Sequence, residues 1–168
     1  MELFEAIATR ACVRALEPVA VPEADLLKIL EAGQRAPSGR NTQPLEFIVV
    51  KDPAAIAAQA GAQSCLGDVG LVILLAGDPE RSQYWLEDVS AATTQMLLAL
   101  HALGYASVWI EGTLLRQEET LKPLFGIPEH MRLVVALPIG KPTQPVTPRD
   151  KRPLTEMVFW EKYGQARA

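Results

Sequence analysis

Two long apolar runs constrain the fold of this chain more than any other feature. They are LVILLAG at residues 71–77 and LVVALPIG at residues 133–140. Both fall well short of the roughly 18 consecutive apolar residues that a membrane-spanning helix needs. The unbroken apolarity of residues 71–76 is typical of a strand that is buried on both faces. We therefore predict a globular chain with a buried sheet and no membrane segment.

The size and composition fit one domain spanning residues 1–168. Chains of about 100–200 residues usually form a single domain, and 49% hydrophobic with 21% charged residues is a globular composition. The formal net charge is −4, from 16 Lys and Arg against 20 Asp and Glu. A general nucleic-acid binder normally carries a basic excess, so we predict no nucleic-acid partner. A local basic pocket for a small anion remains compatible with this charge.

The cysteines and histidines predict neither a metal site nor a disulfide. Cys12 and Cys65 lie far apart without a CxxC motif, and His101 and His130 share no metal-ligand spacing. A structural zinc site needs about four ligands, which these scattered residues do not supply. The acidic, amphipathic N-terminus lacks the basic and apolar regions of a signal peptide. These features favour a reducing cytoplasm.

Hydrophobic periodicity and turn residues predict an α+β fold. Helices are expected at residues 2–9, from 22 to before 37, at 53–60, 82–103 and about 114–124, with Gly104 as a helix C-cap. Strands are expected at 46–51, 71–76, 106–110 and 131–137, and a last short helix or strand within 154–163. Residues 36–44 read as a loop and 142–148 as an extended connector. Helices and strands intermix without the strict alternation of a doubly wound sheet.

No side-chain catalytic motif is present. The sequence contains no GxGxxG, GxxxxGK[ST], GxSxG or HExxH pattern. With only two histidines, no nucleophile–base pair is indicated either. If the chain is an enzyme, a cofactor carries the difficult chemical step.

Three polar clusters stand out from the apolar background. In an extended segment Arg10, Cys12 and Arg14 point the same way, and two guanidinium groups on one face suit a phosphate. The alternative is a solvated helix end, where Arg10 is favoured by the helix dipole. The second cluster, PSGRNTQP at 37–44, offers amide donors and acceptors but also reads as a polar connecting loop. The third, Arg149 with Lys151-Arg152, also reads as a solubilising basic tail.

Taken together and in order, these segments resemble the nitroreductase family of FMN-dependent oxidoreductases. The resemblance rests on R-x-C-x-R after the first helix, APSGRNTQP before EFIVV, GYASVWIEG, and a basic K-R-P near the C-terminus. It covers nearly the whole chain, and APSGRNTQP is its most specific part. It implies a homodimer whose subunits have a central, mainly antiparallel sheet flanked by helices, with two FMN sites in the interface.

The resemblance also assigns residues to the flavin site. By analogy, the phosphate and ribityl side of one flavin is held by Arg10, Ala11, Cys12 and Arg14, and Arg152 closes the phosphate site. The other subunit contributes Pro37, Ser38, Gly39 and Asn41. The isoalloxazine ring lies along Ile110, Glu111 and Gly112.

The implied reaction transfers a hydride from NAD(P)H through flavin N5 to an electron-poor acceptor such as a nitroaromatic compound, quinone or enone. One alternative is a flavin storage or sensing protein without NAD(P)H turnover. Another is reductive dehalogenation or flavin cleavage on the same scaffold, since fold does not determine function. A compact domain without any cofactor is the remaining interpretation.

The sequence departs from the family pattern in several places. Cys12 stands where Ser is usual, Ala11 replaces a larger residue, and Leu45 replaces the customary Trp. Residues 61–68 lack the Asn and Lys that many members place at the flavin pyrimidine edge, which leaves Gln63 or Ser64 as substitutes. The segment between the strand ending near Gly77 and the long helix is brief, so we expect a more open flavin pocket.

Overall fold

The computed structural model of the chain describes residues 1–60 and 63–165. Its helices are α1 (Leu3–Thr9), α2 (Glu23–Gln34), α3 (Ala54–Ala60), α4 (Trp85–Ala102), α5 (Gly112–Arg116) and α6 (Glu118–Leu124). Its strands are β1 (Leu16–Glu17), β2 (Leu45–Val50), β3 (Leu71–Gly77), β4 (Arg132–Ile139) and β5 (Lys141–Pro142). Short 3₁₀ turns occur at Gly39–Asn41, Ser64–Leu66 and Leu154–Glu156.

The main sheet is antiparallel, with strand order β2-β3-β4. The register pairs Leu45 with Gly77 on one side of β3 and Leu71 with Ile139 on the other. Every residue of β3 is buried, as its apolar sequence predicts. A second, two-stranded ribbon joins β1 to β5. The prediction of an α+β fold with a mainly antiparallel central sheet is confirmed.

Helices cover both faces of this sheet because side chains alternate along β3. Ile73 points into a core formed with α2 and α4, in which Ile29 and Met96 are completely buried. Leu74 points the other way, into a core built with α3, α5 and α6 that includes Leu121. The long helix α4 ends at Ala102 with Leu103 as its C-cap, so Gly104, predicted as the C-cap, is instead the residue that follows it, with a φ of +81°.

The structure corrects the predictions at three places. Residues 106–110 form no strand, because the segment makes only two isolated bridges, from Ala106 to Gly140 and from Ile110 to Ala136 of β4. Between them, the carbonyl of Ser107 accepts a hydrogen bond from Val13 instead. The expected helix at 114–124 is divided at Gln117, where φ is −122° and ψ is 15°. The last segment contains only the 3₁₀ turn Leu154–Glu156, and its side chains are exposed.

Three further features of the described residues concern membranes, metals and cysteines. No helix among them is long and apolar enough to cross a membrane. No group of three or more His, Cys, Asp or Glu side chains in the same residues is arranged to hold a metal ion. Cys12 is exposed, Cys65 is buried, and both are free thiols.

Candidate functional site

A basic cavity of about 500 Å³ lies beside the end of α1. Arg10, Arg14, Arg149 and Lys151 contribute to its lining, and none of these four cations pairs with a carboxylate within the described part of the chain. Unneutralised cations facing one cavity attract an anion, and guanidinium groups match phosphate oxygens bidentately. The cavity is therefore a candidate phosphate site.

Local backbone structure presents the first two of these cations. The N–H of Arg10 donates to the carbonyl of Ala6 and ends α1, and the N–H of Val13 donates to Ser107 O at 2.9 Å. Val13 packs against the core, while the residues on either side of it, Cys12 and Arg14, are exposed. Arg10, Ala11, Cys12 and Arg14 all line the cavity, as the predicted phosphate-binding face requires.

The β1–β5 ribbon brings the other two cations to the same place. Leu16 pairs with Pro142, and the N–H of Thr143 donates to Ala15 O at 3.0 Å, so the chain after β5 runs beside the chain before β1. Arg149 and Lys151 lie further along this segment of the chain, after β5. Their approach to Arg10 and Arg14 depends on pairing between residues more than 120 positions apart, which no local sequence pattern indicates.

Arg152, the basic residue predicted to close the phosphate site, does not line this cavity. Its Nη2 donates to Glu156 O at 3.3 Å, and its Nε lies 4.0 Å from Glu156 Oε2. Its two neighbours in the same cluster, Arg149 and Lys151, occupy the lining instead. The basic cluster predicted from the sequence therefore reaches the cavity through Arg149 and Lys151 and not through Arg152.

The loop at residues 37–43 lies at a second cavity of about 610 Å³, which Ser38 and Gln43 line together with Leu45 and Phe47. Ser38 Oγ accepts a hydrogen bond from the N–H of Gln43 at 3.1 Å. No residue lines both this cavity and the basic one. The loop and the R-x-C-x-R segment therefore line separate cavities of this chain.

Residues 110–112 lead from the sheet into α5. Ile110 is buried and exchanges hydrogen bonds with Ala136 of β4, at 3.1 Å through its N–H and 2.9 Å through its carbonyl. The Glu111 carboxylate accepts from Trp109 Nε1 at 3.0 Å. Gly112 is exposed at the start of α5. The hydrogen bonds between Ile110 and Ala136 attach this segment to the main sheet.

Three polar side chains meet next to Gly112. Thr113 Oγ1 accepts from Gln63 Nε2 at 3.1 Å and lies 3.4 Å from Arg116 Nη2. The buried Oε1 of Gln63 has no hydrogen-bond partner among the described residues. A buried acceptor without a partner is costly, so this oxygen is suited to a donor from a ligand. We call Gln63, Thr113 and Arg116 the polar triad.

The two substitutes that the sequence left open differ in their contacts. Gln63 contacts the segment after Gly112, whereas Ser64 is exposed in the adjacent turn. Residues 61 and 62 of the same segment lie outside the described residues. Thr113 and Arg116 were not predicted; their only sequence signal is the three-residue spacing that places them on one face of a helix beginning at Gly112.

The two cysteines differ in their surroundings. Cys12 lines the basic cavity, where Arg10 Nη1 lies 3.7 Å from its Sγ. Cys65 is 2% exposed, and burial raises the pKa of its thiol above the ordinary value, partly opposed by the positive charge of Arg14. Cys65 is therefore a protonated core residue at neutral pH, and only Cys12 is placed to contact a ligand.

Comparison with known proteins identifies the family. An antiparallel α+β fold with a basic cavity at R-x-C-x-R is the arrangement that the sequence resemblance implied. The family model described as "Nitroreductase family" matches residues 7–67 and 56–141. The chain belongs to the nitroreductase family. The names of its curated relatives show that it is an oxidoreductase. The predicted family is confirmed.

Individual relatives span nearly the same length. A protein of Archaeoglobus fulgidus named "Putative NADH dehydrogenase/NAD(P)H nitroreductase" is 35% identical over 150 residues, covering 84% of this chain and 86% of its own. The crystal structure of a "putative nitroreductase in complex with FMN" from Desulfovibrio desulfuricans has a TM-score of 0.85 and 30% identity, covering 97% and 98% of the chains. An iodotyrosine deiodinase of Thermotoga neapolitana is 26% identical, covering 93% and 95%.

Proposed function

We propose that the protein is an FMN-dependent oxidoreductase that moves a hydride from NAD(P)H to an electron-poor acceptor. The observation that carries the proposal is the cavity in which four cations without carboxylate partners converge, in a chain of the nitroreductase family. Bound FMN would supply the hydride-transfer chemistry between NAD(P)H and a nitroaromatic compound, quinone or enone. The protein binds and orients the reactants.

The residues present fit FMN at two places. Arg10, Arg14, Arg149 and Lys151 neutralise the phosphate, with the exposed Cys12 as a weaker donor beside them. In this proposal Arg149 and Lys151 take the part assigned to Arg152, whose guanidinium is engaged by Glu156. Because these contacts are electrostatic and partly exposed, they weaken as ionic strength rises.

The polar triad fits the other end of the flavin. The free Oε1 of Gln63 accepts from a ring N–H, and Arg116 donates to a neighbouring ring carbonyl. A positive charge at this edge favours the electron-rich, reduced state of the ring, so the triad tunes the flavin as well as binding it. The backbone of Ile110, Glu111 and Gly112 lines the ring from the sheet side.

We also propose that the active form is a homodimer with two flavin sites. In this proposal a second copy supplies the loop carrying Pro37, Ser38, Gly39 and Asn41, as the family resemblance implies, and none of these residues lines the basic cavity of its own chain. Large apolar side chains are exposed on α1 (Leu3, Phe4, Ile7) and near the C-terminus (Leu154, Met157, Val158, Phe159). Exposed apolar patches of this kind mark protein interfaces.

The proposal is tested by the visible absorbance spectrum of freshly purified protein, recorded anaerobically before and after adding NADH or NADPH. We expect an oxidised-flavin spectrum that bleaches with at least one nucleotide and returns when a quinone is added. A yellow protein that neither nucleotide bleaches supports flavin storage or sensing instead. A colourless protein that takes up no added FMN overturns the proposal.

Reductive dehalogenation is the second candidate, because iodotyrosine deiodinases are among the full-length relatives. Iodide release from 3-iodotyrosine by the dithionite-reduced protein, measured against quinone reduction, distinguishes the two activities. A cytoplasmic location is proposed with either, since both cysteines are free thiols, as they are in a reducing compartment.

A further inference from the structure

A buried carboxylate lies directly beneath the loop at residues 37–43. Asp88, in the first turns of α4, is only 4% exposed. Its Oδ1 accepts from the N–H of Gly39 at 2.9 Å, and its Oδ2 lies 3.4 Å from Ser82 Oγ, a hydroxyl donor. The same Ser82 oxygen accepts from the N–H of Tyr84 at 3.1 Å. Asp88 thus joins the loop to the start of the long helix.

The loop needs such an anchor because its backbone is strained. Arg40, Asn41 and Gln43 have φ angles of 55°, 57° and 50°, a left-handed region that side chains disfavour. Only Asn among them tolerates this conformation readily. Strained segments persist where surrounding contacts over-determine them, and they concentrate at functional sites.

No other hydrogen bond within the described chain does the work of the one between Gly39 and Asp88. Within the described chain, the bond from Gly39 to Asp88 is the one hydrogen bond that joins residues 38–43 to anything outside the loop. Gly39 also packs closely on the side chain of Tyr84, the residue before α4, since a Cβ added to Gly39 would lie 2.4 Å from Cδ2 of Tyr84. The contact therefore depends both on the carboxylate of Asp88 and on the absence of a side chain at Gly39.

We propose that Asp88 is a positioning residue that holds the loop at residues 37–43 in its flavin-binding conformation. The inference rests on the proposed function, in which Ser38 and Asn41 contact FMN. Asp88 itself contacts the loop and not the flavin. A hydrogen bond to a charged acceptor is stronger than a neutral one, which suits a carboxylate to keeping a strained loop in place.

The test compares Asp88→Leu, Asp88→Asn and Glu118→Gln. Asp88→Leu leaves the Gly39 N–H without an acceptor, whereas Asp88→Asn keeps an oxygen for it and an amide that donates to Ser82. Glu118→Gln is the matched control, because Glu118 is another buried carboxylate that accepts a backbone N–H, that of Leu133 at 2.8 Å, on the opposite face of the sheet. Two quantities are measured on each full-length protein: the FMN dissociation constant after stripping and titration, and amide hydrogen exchange at residues 38–43 without FMN.

We expect Asp88→Leu to raise the FMN dissociation constant about tenfold or more and to accelerate exchange at Gly39. Asp88→Asn should restore affinity to within about threefold of wild type, and Glu118→Gln should change neither quantity at the loop. Equal FMN affinity in Asp88→Leu and Glu118→Gln overturns the inference. If Asp88→Leu does not fold, Ser82→Ala replaces it: weaker FMN binding than in Glu118→Gln supports the anchor, and equal binding contradicts it.

The two readouts also separate this inference from the proposed function. If wild-type protein binds no FMN, the proposed function fails, while faster exchange at residues 38–43 in Asp88→Leu still shows that Asp88 holds the loop. If wild type binds FMN and exchange at the loop is unchanged in Asp88→Leu, the positioning role of Asp88 fails alone.

Discussion

At the scale of single residues, Arg14 is the cation whose removal tests the phosphate cavity most directly. It is exposed, lines the cavity, and forms no hydrogen bond or ion pair that would be disturbed elsewhere in the described chain. We expect Arg14→Gln to weaken FMN binding by about tenfold, because a charge-assisted contact contributes about 1.5–3 kcal/mol. Binding of riboflavin, which lacks the phosphate, should not change. Fluorescence titration with both ligands measures the difference.

The matched control for this prediction is Arg35→Gln. Arg35 is an exposed arginine paired with Glu31 at 2.8 Å on α2, away from the cavity. The Arg35→Gln substitution removes the same charge from the whole protein without altering the lining of the basic cavity. An equal loss of FMN affinity in both variants would mean that net charge, rather than a phosphate contact, governs binding.

The shared cavity of the R-x-C-x-R residues could be predicted from local spacing. Arg10, Cys12 and Arg14 alternate along an extended segment, so their common face follows from backbone geometry alone. Arg116 and Thr113 were missed because their relevance depends on Gln63, fifty positions away from Thr113. Choosing between Gln63 and Ser64 likewise required knowing which side chain the fold turns toward α5.

At the scale of elements, Gly140 allows the β1–β5 ribbon to close over the end of β4. A Cβ on Gly140 would lie 2.6 Å from the backbone oxygen of Glu17 and 3.1 Å from Cβ of Leu16. We expect Gly140→Ala to lower the free energy of unfolding by about 1–3 kcal/mol, because overpacking against backbone forces a shift of the chain. Urea denaturation measures the change, and FMN affinity should fall with it because the ribbon aligns the basic cavity.

Gly70→Ala provides the control at this scale. Nothing lies within 4 Å of a Cβ added to Gly70, so its stability should change by no more than about 0.5 kcal/mol. Equal stability of the two alanine variants would show that the ribbon accommodates the added methyl group, contrary to the packing argument.

Two of the elements that were predicted incorrectly, those at residues 106–110 and 114–124, are governed by long-range contacts. Glu118 turns inward, where Oε1 and Oε2 each lie 3.0 Å from Nε of Arg132, and Oε1 also accepts the N–H of Leu133. This attachment to β4 accompanies the break in the helix at Gln117. Similarly, residues 106–110 have strand-like composition, but β4 and the segment after α1 divide their hydrogen bonds.

At the scale of the whole molecule, the proposed homodimer is tested by placing a charge in its apolar surface. Phe4 is 75% exposed on α1, which packs on α4. We expect Phe4→Glu to convert a dimer of 18.3 kDa chains into monomers, since burying an unpaired charge in an interface is unfavourable. FMN should be lost together with the dimer. Light scattering after size-exclusion chromatography, with absorbance at the flavin bands, records both.

Leu124→Glu is the corresponding control. Leu124 is 51% exposed on α6, on the face of the sheet opposite to α4. A dimer that survives Phe4→Glu, or one that Leu124→Glu dissociates equally, would contradict the assignment of α1 to the interface.

The family, the antiparallel α+β class, the buried central strand and the R-x-C-x-R face could all be predicted from the sequence. Each of these depends on apolar patterning, local spacing or a motif read along the chain. Three contacts could be found only in the folded chain: Arg149 and Lys151 join that face, Gln63 meets Thr113, and Asp88 accepts a hydrogen bond from the loop at 37–43. These contacts join residues about 50 to 140 positions apart, and such pairs are set by strand pairing and helix packing rather than by any local preference of the chain.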